Sequence, residues 1–205
     1  MPITRGFTGK RSNADAARDR IPPGQYVTQD FPVLTAGPTQ RTPVDNWTLT
    51  LERGAEMFGR WSWEQFETLR QTERTTDIHC VTKWTKFDTR WRGVTIDDLM
   101  KAAGLSAVPT QFVMAHCDGG YTTNLPIADL LDRKAMIATH YDNSPIPVTH
   151  GGPARLLVPH LYFWKSAKWA RRLEFMEANT PGFWESMGYH IHGDPWREQR
   201  YTGDA

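Results

Sequence analysis

The sequence contains only two cysteines among its 205 residues, Cys80 and Cys117. Two thiols are too few for a disulfide framework or for a metal site made of four thiolates. No Cys-x2-Cys or His-x3-His spacing is present, which argues against zinc. The pairs His79-Cys80 and His116-Cys117 do not change this conclusion, because adjacent residues on a strand point to opposite faces.

Long apolar runs are also missing. No segment approaches the ~18 apolar residues of a membrane-spanning helix, and residues 1–24 are polar and basic without the apolar stretch of a secretory signal. We therefore predict a polar N-terminal arm over 1–24, no membrane span, and a cytoplasmic location in which the cysteines stay reduced. Charge is balanced at +1, which argues against nucleic acid as a partner.

Tryptophan, proline and glycine are by contrast abundant, with nine, fourteen and sixteen copies. This composition is typical of short elements joined by ordered turns, with aromatic side chains in a core or around a pocket. Capping-box patterns at Ser62-Gln65 and Thr95-Asp98 predict the starts of two short helices, and a third is predicted around 127–131. Strands are predicted near 47–51, 111–115, 135–139, 155–158 and 173–176. The pattern indicates an α+β fold, with one domain over residues 25–205.

Cys80 ends a short apolar run and opens into a turn that carries Lys83, Lys86 and Arg90. Cations near a thiol favour its thiolate, which is a nucleophile or a ligand for a soft metal. A lone cysteine on a strand is, however, most often a buried side chain without chemistry. A cysteine hydrolase that pairs Cys80 with His116 or His150 is an alternative at this point.

Two further segments carry groups suited to an anionic ligand. In the first, from His150 to Arg155, two glycines allow a backbone to approach a ligand closely, and the arginine can bind a phosphate through two hydrogen bonds. In the second, from Lys165 to Trp169, lysines stand among bulky aromatic residues. Each segment alone is a weak signal, because a run of cations is more often a solvated face.

Together these segments resemble the molybdopterin-binding domain of the sulfite oxidase family, including its small sulfite-oxidase-like members and the bacterial methionine-sulfoxide reductase catalytic subunits. The resemblance extends from about Pro22 to Tyr201. It rests on several motifs in order: His79-Cys80-Val81 with Trp84, Trp91-Arg92-Gly93-Val94, Gly120-Tyr121, the segment from His150 to Pro159, Lys165-Ser166-Ala167-Lys168-Trp169, and the tail with Gly188-Tyr189-His190 and Gly193-Asp194-Pro195-Trp196.

The resemblance implies molybdenum-molybdopterin as cofactor, with Cys80 as the protein ligand to molybdenum and Tyr121 beside the metal. It implies further cofactor contacts at Arg155, Ser166, Ala167 and Lys168, and less directly at His150, His79, His116 and Cys117. The implied activity is oxygen-atom transfer on a small sulfur or N-oxide substrate, with electrons exchanged with an unidentified partner protein. A protein that holds molybdopterin without turnover is the alternative.

The sequence departs from true sulfite oxidases after Cys80. It lacks the longer insertion that supplies a sulfite-binding arginine in that family, and Lys83, Lys86 and Arg90 are the nearest cations that would replace it. It also shows neither a haem domain nor an immunoglobulin-like dimerisation domain, so the resemblance implies a monomer.

Overall fold

The computed structural model describes residues 18–205, so most of the predicted arm over 1–24 lies outside the described residues. The described chain forms strands β1 Tyr26–Val27, β2 Thr48–Arg53, β3 Glu56–Ser62, β4 Thr72–His79, β5 Trp84–Thr95, β6 Phe112–Cys117, β7 Thr122–Pro126, β8 Met136–Tyr141, β9 Ser144–Pro145, β10 Arg155–Leu157 and β11 Ala170–Met176, with α-helices Trp63–Thr68 and Ile96–Ala102. Many strands with few short helices confirm the predicted α+β class.

The strands form two sheets. The first has the order β1-β5-β8-β10, with β4 also paired to β5 and β9 to β8, and the second has the order β3-β2-β11-β6-β7. Most neighbours run antiparallel, and the parallel pairs are β1 with β5 and β2 with β11. Non-local pairing of this kind interleaves the chain, so loops that are distant in sequence meet at the same edge.

Local signals explain where the helices begin. The Ser62 hydroxyl accepts from the Gln65 amide while the Gln65 side chain accepts from the Ser62 amide, which completes the predicted capping box. Thr95 caps the second helix through the Asp98 amide, although there the Asp98 carboxylate accepts from the threonine hydroxyl instead. The helix predicted around 127–131 is a single 3-10 turn, Ile127–Asp129, and the chain cannot continue as a helix because Asp132 and Arg133 adopt left-handed φ values of 56° and 58°.

The main core lies between the sheets and includes fully buried Trp47, Leu49, Leu51 and Leu173. A smaller apolar cluster packs on the first sheet around Cys80, Trp84 and Trp91. Strands β5 and β8 lie under this cluster and approach each other closely at Gly93, where a Cβ would lie 2.1 Å from the carbonyl oxygen of Ile137. Glycine is therefore required at that position for β5 to pair with β8.

Four loops meet at one edge of this framework. They follow β4 and β6 and precede β10 and β11, and with an extended segment at 31–36 they enclose a cavity. The cavity contains the side chains discussed next.

Candidate cofactor site

The cavity has a volume of about 290 Å³. Its walls combine aromatic side chains with a few polar ones, a composition typical of sites for cofactors and other small ligands. Of the residues predicted from the sequence, it is lined by Cys80, Tyr121, His150, Arg155, Ser166, Ala167 and Lys168. The structure therefore brings most of the predicted set together.

Cys80 lies in a tight turn that fixes its side chain at the cavity wall. Its amide donates to the carbonyl of Trp84 at 2.8 Å, and its carbonyl accepts from the Lys83 amide at 3.0 Å. Lys83 closes the turn with a φ of 75°. The thiol is only 6 % exposed, and burial raises its pKa although the hydroxyl of Thr82, 3.2 Å from the sulfur, opposes that effect.

The cations after Cys80 do not surround the thiol. The ammonium of Lys86 donates to the carbonyl of Gln29, Arg90 pairs with Glu73 at 3.9 Å, and neither side chain nor that of Lys83 lines the cavity. The prediction that nearby cations favour the thiolate is therefore wrong for the protein without a bound group. A metal centre would have to stabilise the thiolate itself.

Arg155 is the central cation of the cavity and is 1 % exposed. Its guanidinium donates to the carbonyl of His150 at 2.7 Å and to the carbonyl of Ser166, and it lies 4.2 Å from the centre of the Phe163 ring. Burial lowers its pKa to about 9. None of the ion pairs in the described part of the chain involves Arg155, so a buried positive charge faces the cavity without a protein anion.

Lys168 and His150 stand beside Arg155. The Lys168 ammonium donates to the carbonyl of Thr149 at 2.6 Å, and burial together with Arg155 lowers its pKa to about 8. Burial and both cations lower the pKa of His150 to about 4, so its imidazole is neutral near pH 7. Gly151, with a φ of 107°, lets this turn pack on the backbone of Lys168, where a Cβ would lie 2.9 Å from Cα.

Three buried nitrogen atoms of the cavity side chains have no hydrogen-bond partner: Arg155 Nε, Trp84 Nε1 and His150 Nδ1. The first two are donors, and buried donors without acceptors are rare in folded proteins. A ligand that carries a phosphate and further oxygen and nitrogen atoms would satisfy them and neutralise Arg155. The residues of the cavity thus fit a phosphorylated heterocycle with a soft metal near Cys80.

Tyr121 and Ser166 hold the cavity in shape. The Tyr121 hydroxyl donates to the carbonyl of Trp164 at 2.7 Å, and burial raises the pKa of the phenol well above its usual value, so it stays neutral. The Ser166 hydroxyl accepts from the amide of Val158 at 2.8 Å. Their side-chain oxygens are therefore engaged within the protein as well as placed at the cavity wall.

Three of the predicted site residues do not line the cavity. His79 faces away from it, with its Nδ1 3.0 Å from the Thr85 hydroxyl. His116 Nε2 lies 2.7 Å from the Glu174 carboxylate on the second sheet, and Cys117 is buried behind the cavity wall. Alternation along the chain accounts for His79, because its neighbour Cys80 points to the cavity. Their placement gives no support to the predicted cofactor contacts.

The structure adds residues that the sequence reasoning missed. The Gln25 amide nitrogen donates to the carbonyl of Cys80 at 3.1 Å, and its oxygen accepts from Thr85 at 2.6 Å, so the start of the domain clamps the cysteine turn. Phe31 stacks on His150 with ring centres 3.9 Å apart. Trp184 and Tyr189 complete the wall. No periodic pattern marks any of them, although Phe31-Pro32 is recognisable as an extended segment.

Comparison with known proteins identifies the family. The model of the oxidoreductase molybdopterin binding domain matches residues 36–184, well over half of the chain. The chain belongs to this family. Its cofactor is accordingly molybdenum-molybdopterin, in agreement with the fit of the cavity, and the resemblance to the sulfite oxidase family is confirmed.

Three relatives illustrate how similar this molybdopterin-binding domain is to known proteins. It is 40 % identical over 199 residues to an uncharacterized oxidoreductase, YuiH, of Bacillus subtilis, covering 97 % of this chain and all of that protein. It is 24 % identical to a putative protein-methionine-sulfoxide reductase subunit, YedZ1, of Azospira oryzae, covering 84 % of this chain and 66 % of the relative. Human mitochondrial sulfite oxidase is 27 % identical over 112 residues, covering 49 % of this chain and 20 % of the relative.

A solved structure shows the same fold. The sulfane dehydrogenase SoxCD of Paracoccus pantotrophus superimposes with a TM-score of 0.59 over 68 % of this chain and 40 % of that chain, at 18 % identity. This likeness confirms the fold class. In residues 18–205 no helix has the length and apolar character needed to cross a membrane.

Proposed function

We propose that this protein is a molybdenum enzyme that reduces an uncharged sulfur or nitrogen oxide by oxygen-atom transfer. The family and its cofactor are established above; the direction and the substrate are the proposal. The observation that carries it is the placement of charge: of the described lysines and arginines, Arg155 and Lys168 line the cavity, and no cation contributes to the pKa shift of the Cys80 thiol.

The two cations of the cavity suit the phosphate of the cofactor. Arg155 and Lys168 supply two positive charges without a carboxylate partner in the described chain, and the backbone at Gly151 approaches closely because that residue lacks a Cβ. A phosphate at this place would restore the charge balance of the buried guanidinium and return the depressed pKa of Lys168 toward its usual value. These residues therefore bind and orient the group.

Cys80 also lines the cavity, and its sulfur is suited to ligate a soft metal. Val81, Thr82, Trp84, Trp184 and Tyr189 line the same cavity, and Trp84 packs in one apolar cluster with Cys80. When bound, the cofactor supplies a metal that accepts and donates oxygen atoms with two-electron redox chemistry. The protein contributes the thiolate ligand and a wall that excludes water.

The wall near Cys80 favours an uncharged substrate. A sulfite anion would be held best by cations or by several hydrogen-bond donors close to its oxygens. The cations nearest in sequence are turned away, and the aromatic rings of Trp184 and Tyr189, 5.0 Å apart, offer apolar contact instead. A sulfoxide or N-oxide with an apolar substituent fits this chemistry, and the name of the Azospira relative supports a sulfoxide.

Turnover needs a source of electrons, because the oxide takes up two electrons and two protons and releases water. We propose an electron-transfer partner protein in this role. We also propose a monomer in the cytoplasm, which agrees with the two free cysteines in the described chain.

The test is to purify the protein from a host that makes molybdenum cofactor, quantify molybdenum and pterin, and compare two assays. We expect about one of each per chain, reduction of dimethyl sulfoxide or methionine sulfoxide by reduced viologen, and little oxidation of sulfite with ferricyanide. Sulfite oxidation that exceeds oxide reduction in kcat/KM would reverse the proposed substrate preference.

Two variants separate the alternatives. Cys80→Ser should abolish oxide reduction with the fold retained, whereas Cys117→Ala, which removes the thiol outside the cavity, should remain active. Full cofactor content with no turnover of any oxide would favour a cofactor-binding protein without catalysis. A cysteine hydrolase is disfavoured because the Cys80 sulfur accepts from Thr82, and no imidazole contacts it in the described residues.

A further inference from the structure

The sulfur of Cys80 receives a side-chain hydrogen bond from within its own turn. The hydroxyl of Thr82 lies 3.2 Å from Sγ, and it lowers the pKa of the thiol against the larger effect of burial, as do the backbone groups of Val81 and Thr82. A threonine hydroxyl is a donor that can rotate toward an acceptor, and sulfur accepts weakly unless it carries negative charge. The contact therefore strengthens when the sulfur is a thiolate ligand.

The turn holds this geometry firmly. The Cys80 carbonyl accepts from both the Lys83 amide and the side chain of Gln25, so the backbone between the cysteine and the threonine is fixed at both ends. Thr82 is itself exposed, but the sulfur that its hydroxyl reaches is buried, and among the described residues no cation contributes to the pKa shift of the Cys80 thiol. At a buried acceptor a single donor has a larger electrostatic effect than in water.

We propose that Thr82 is a positioning residue that sets the reduction potential of the molybdenum centre through its hydrogen bond to the Cys80 sulfur. This inference rests on the proposed ligation by Cys80. Reduction adds electron density to the metal and its thiolate, so a donor to the sulfur stabilises the reduced state more than the oxidised state. Thr82 thereby favours uptake of electrons, the direction that reduction of an oxide requires.

Thr82→Val tests the idea, because valine keeps the branched shape and lacks the hydroxyl. Thr82→Ser is the matched control, since it keeps the donor. We expect the midpoint potential of the Mo(VI)/Mo(V) couple, measured by redox titration with electron paramagnetic resonance, to fall in the valine variant. A tenfold loss of preference for the reduced state would lower the midpoint potential by about 59 mV. The serine variant should keep a midpoint potential and a Mo(V) spectrum close to those of the wild type.

The outcomes separate this inference from the proposed function. A wild-type protein without molybdenum, or a Cys80→Ser variant with an unchanged Mo(V) spectrum, would refute ligation by Cys80. Normal cofactor content with equal potentials in wild type and Thr82→Val would refute the role of Thr82 alone. A shift of the same size in Thr82→Ser would assign the effect to packing of the turn and overturn the hydrogen-bond argument.

Discussion

The buried ion pair between Lys165 and Glu185 joins the loop before β11 to the C-terminal segment, and its removal should destabilise the fold. The ammonium of Lys165 lies 2.5 Å from the carboxylate of Glu185, and both side chains are at most 1 % exposed. The same carboxylate oxygen accepts from Thr123 at 2.8 Å and from the indole of Trp164 at 2.9 Å. Lys165 also donates to two backbone carbonyls, each at 2.8 Å.

Glu185→Gln should destabilise the fold strongly. Glutamine keeps an acceptor for Thr123 and Trp164 but leaves the ammonium of Lys165 buried without an anion, and burial already lowers the pKa of that lysine. Breaking one partner of a buried pair costs about 3–5 kcal/mol. We expect a loss of this size in the free energy of unfolding, measured by urea titration with tryptophan fluorescence.

A double-mutant cycle checks the reasoning. Lys165→Met alone should cost a similar amount, and the double variant Lys165→Met with Glu185→Gln should be more stable than additivity predicts by about 2–3 kcal/mol. The reason is that neither charge is then left alone in the interior. Additive losses, or a loss below about 1 kcal/mol in Glu185→Gln, would show that the pair is not a coupled buried interaction.

Three further results are expected. Lys168→Met should lower the pterin content per chain, measured by fluorescence of the released pterin, whereas Lys83→Met removes an exposed cation outside the cavity and should not. His150 takes up its proton near pH 6.5 in the unfolded chain but only near pH 4 in the folded chain. The free energy of unfolding of cofactor-free protein should therefore fall as pH falls through this window, by at most ~1.4 kcal/mol per pH unit. His150→Asn should flatten the dependence of this free energy on pH, measured by urea titration. Gly93→Ala should lower the free energy of unfolding by about 1–3 kcal/mol or more, because the new Cβ would clash with the backbone of Ile137. Gly104→Ala has open space around the new Cβ and a φ of 72°, so it should lower the free energy of unfolding by only about 1–2 kcal/mol, measured by thermal or urea unfolding.

Local motifs made part of this site predictable from the sequence. The turn after β4 and the segment from His150 to Arg155 act through residues adjacent in the chain, so their chemistry is legible without a fold. The capping pattern at Ser62 is local for the same reason. The roles of Lys83, Lys86 and Arg90 were not predictable, because proximity in sequence does not show which side of a turn a long side chain takes.

Site contacts between residues that are far apart in the sequence could not be predicted from it. Gln25 reaches Cys80 across 55 positions, and Lys165 reaches Asn124 across 41. From its sequence the segment from Lys165 to Trp169 is compatible with donors for an anionic group or with a solvated face, whereas in the structure Lys165 is fully buried beside the carboxylate of Glu185. Only the folded topology shows that partner.

The same ion pair bears on the two roles that we propose for the cavity. Arg155 and Lys168 are the proposed phosphate contacts, whereas Trp184 and Tyr189, the proposed substrate contacts, lie on either side of Glu185 in the chain. Anchoring the wall through one buried carboxylate leaves the side chains around it free to change without loss of the cofactor contacts. Specificity should therefore depend on the segment 184–189, and exchange of its aromatic residues should alter KM for different oxides before it alters molybdenum content.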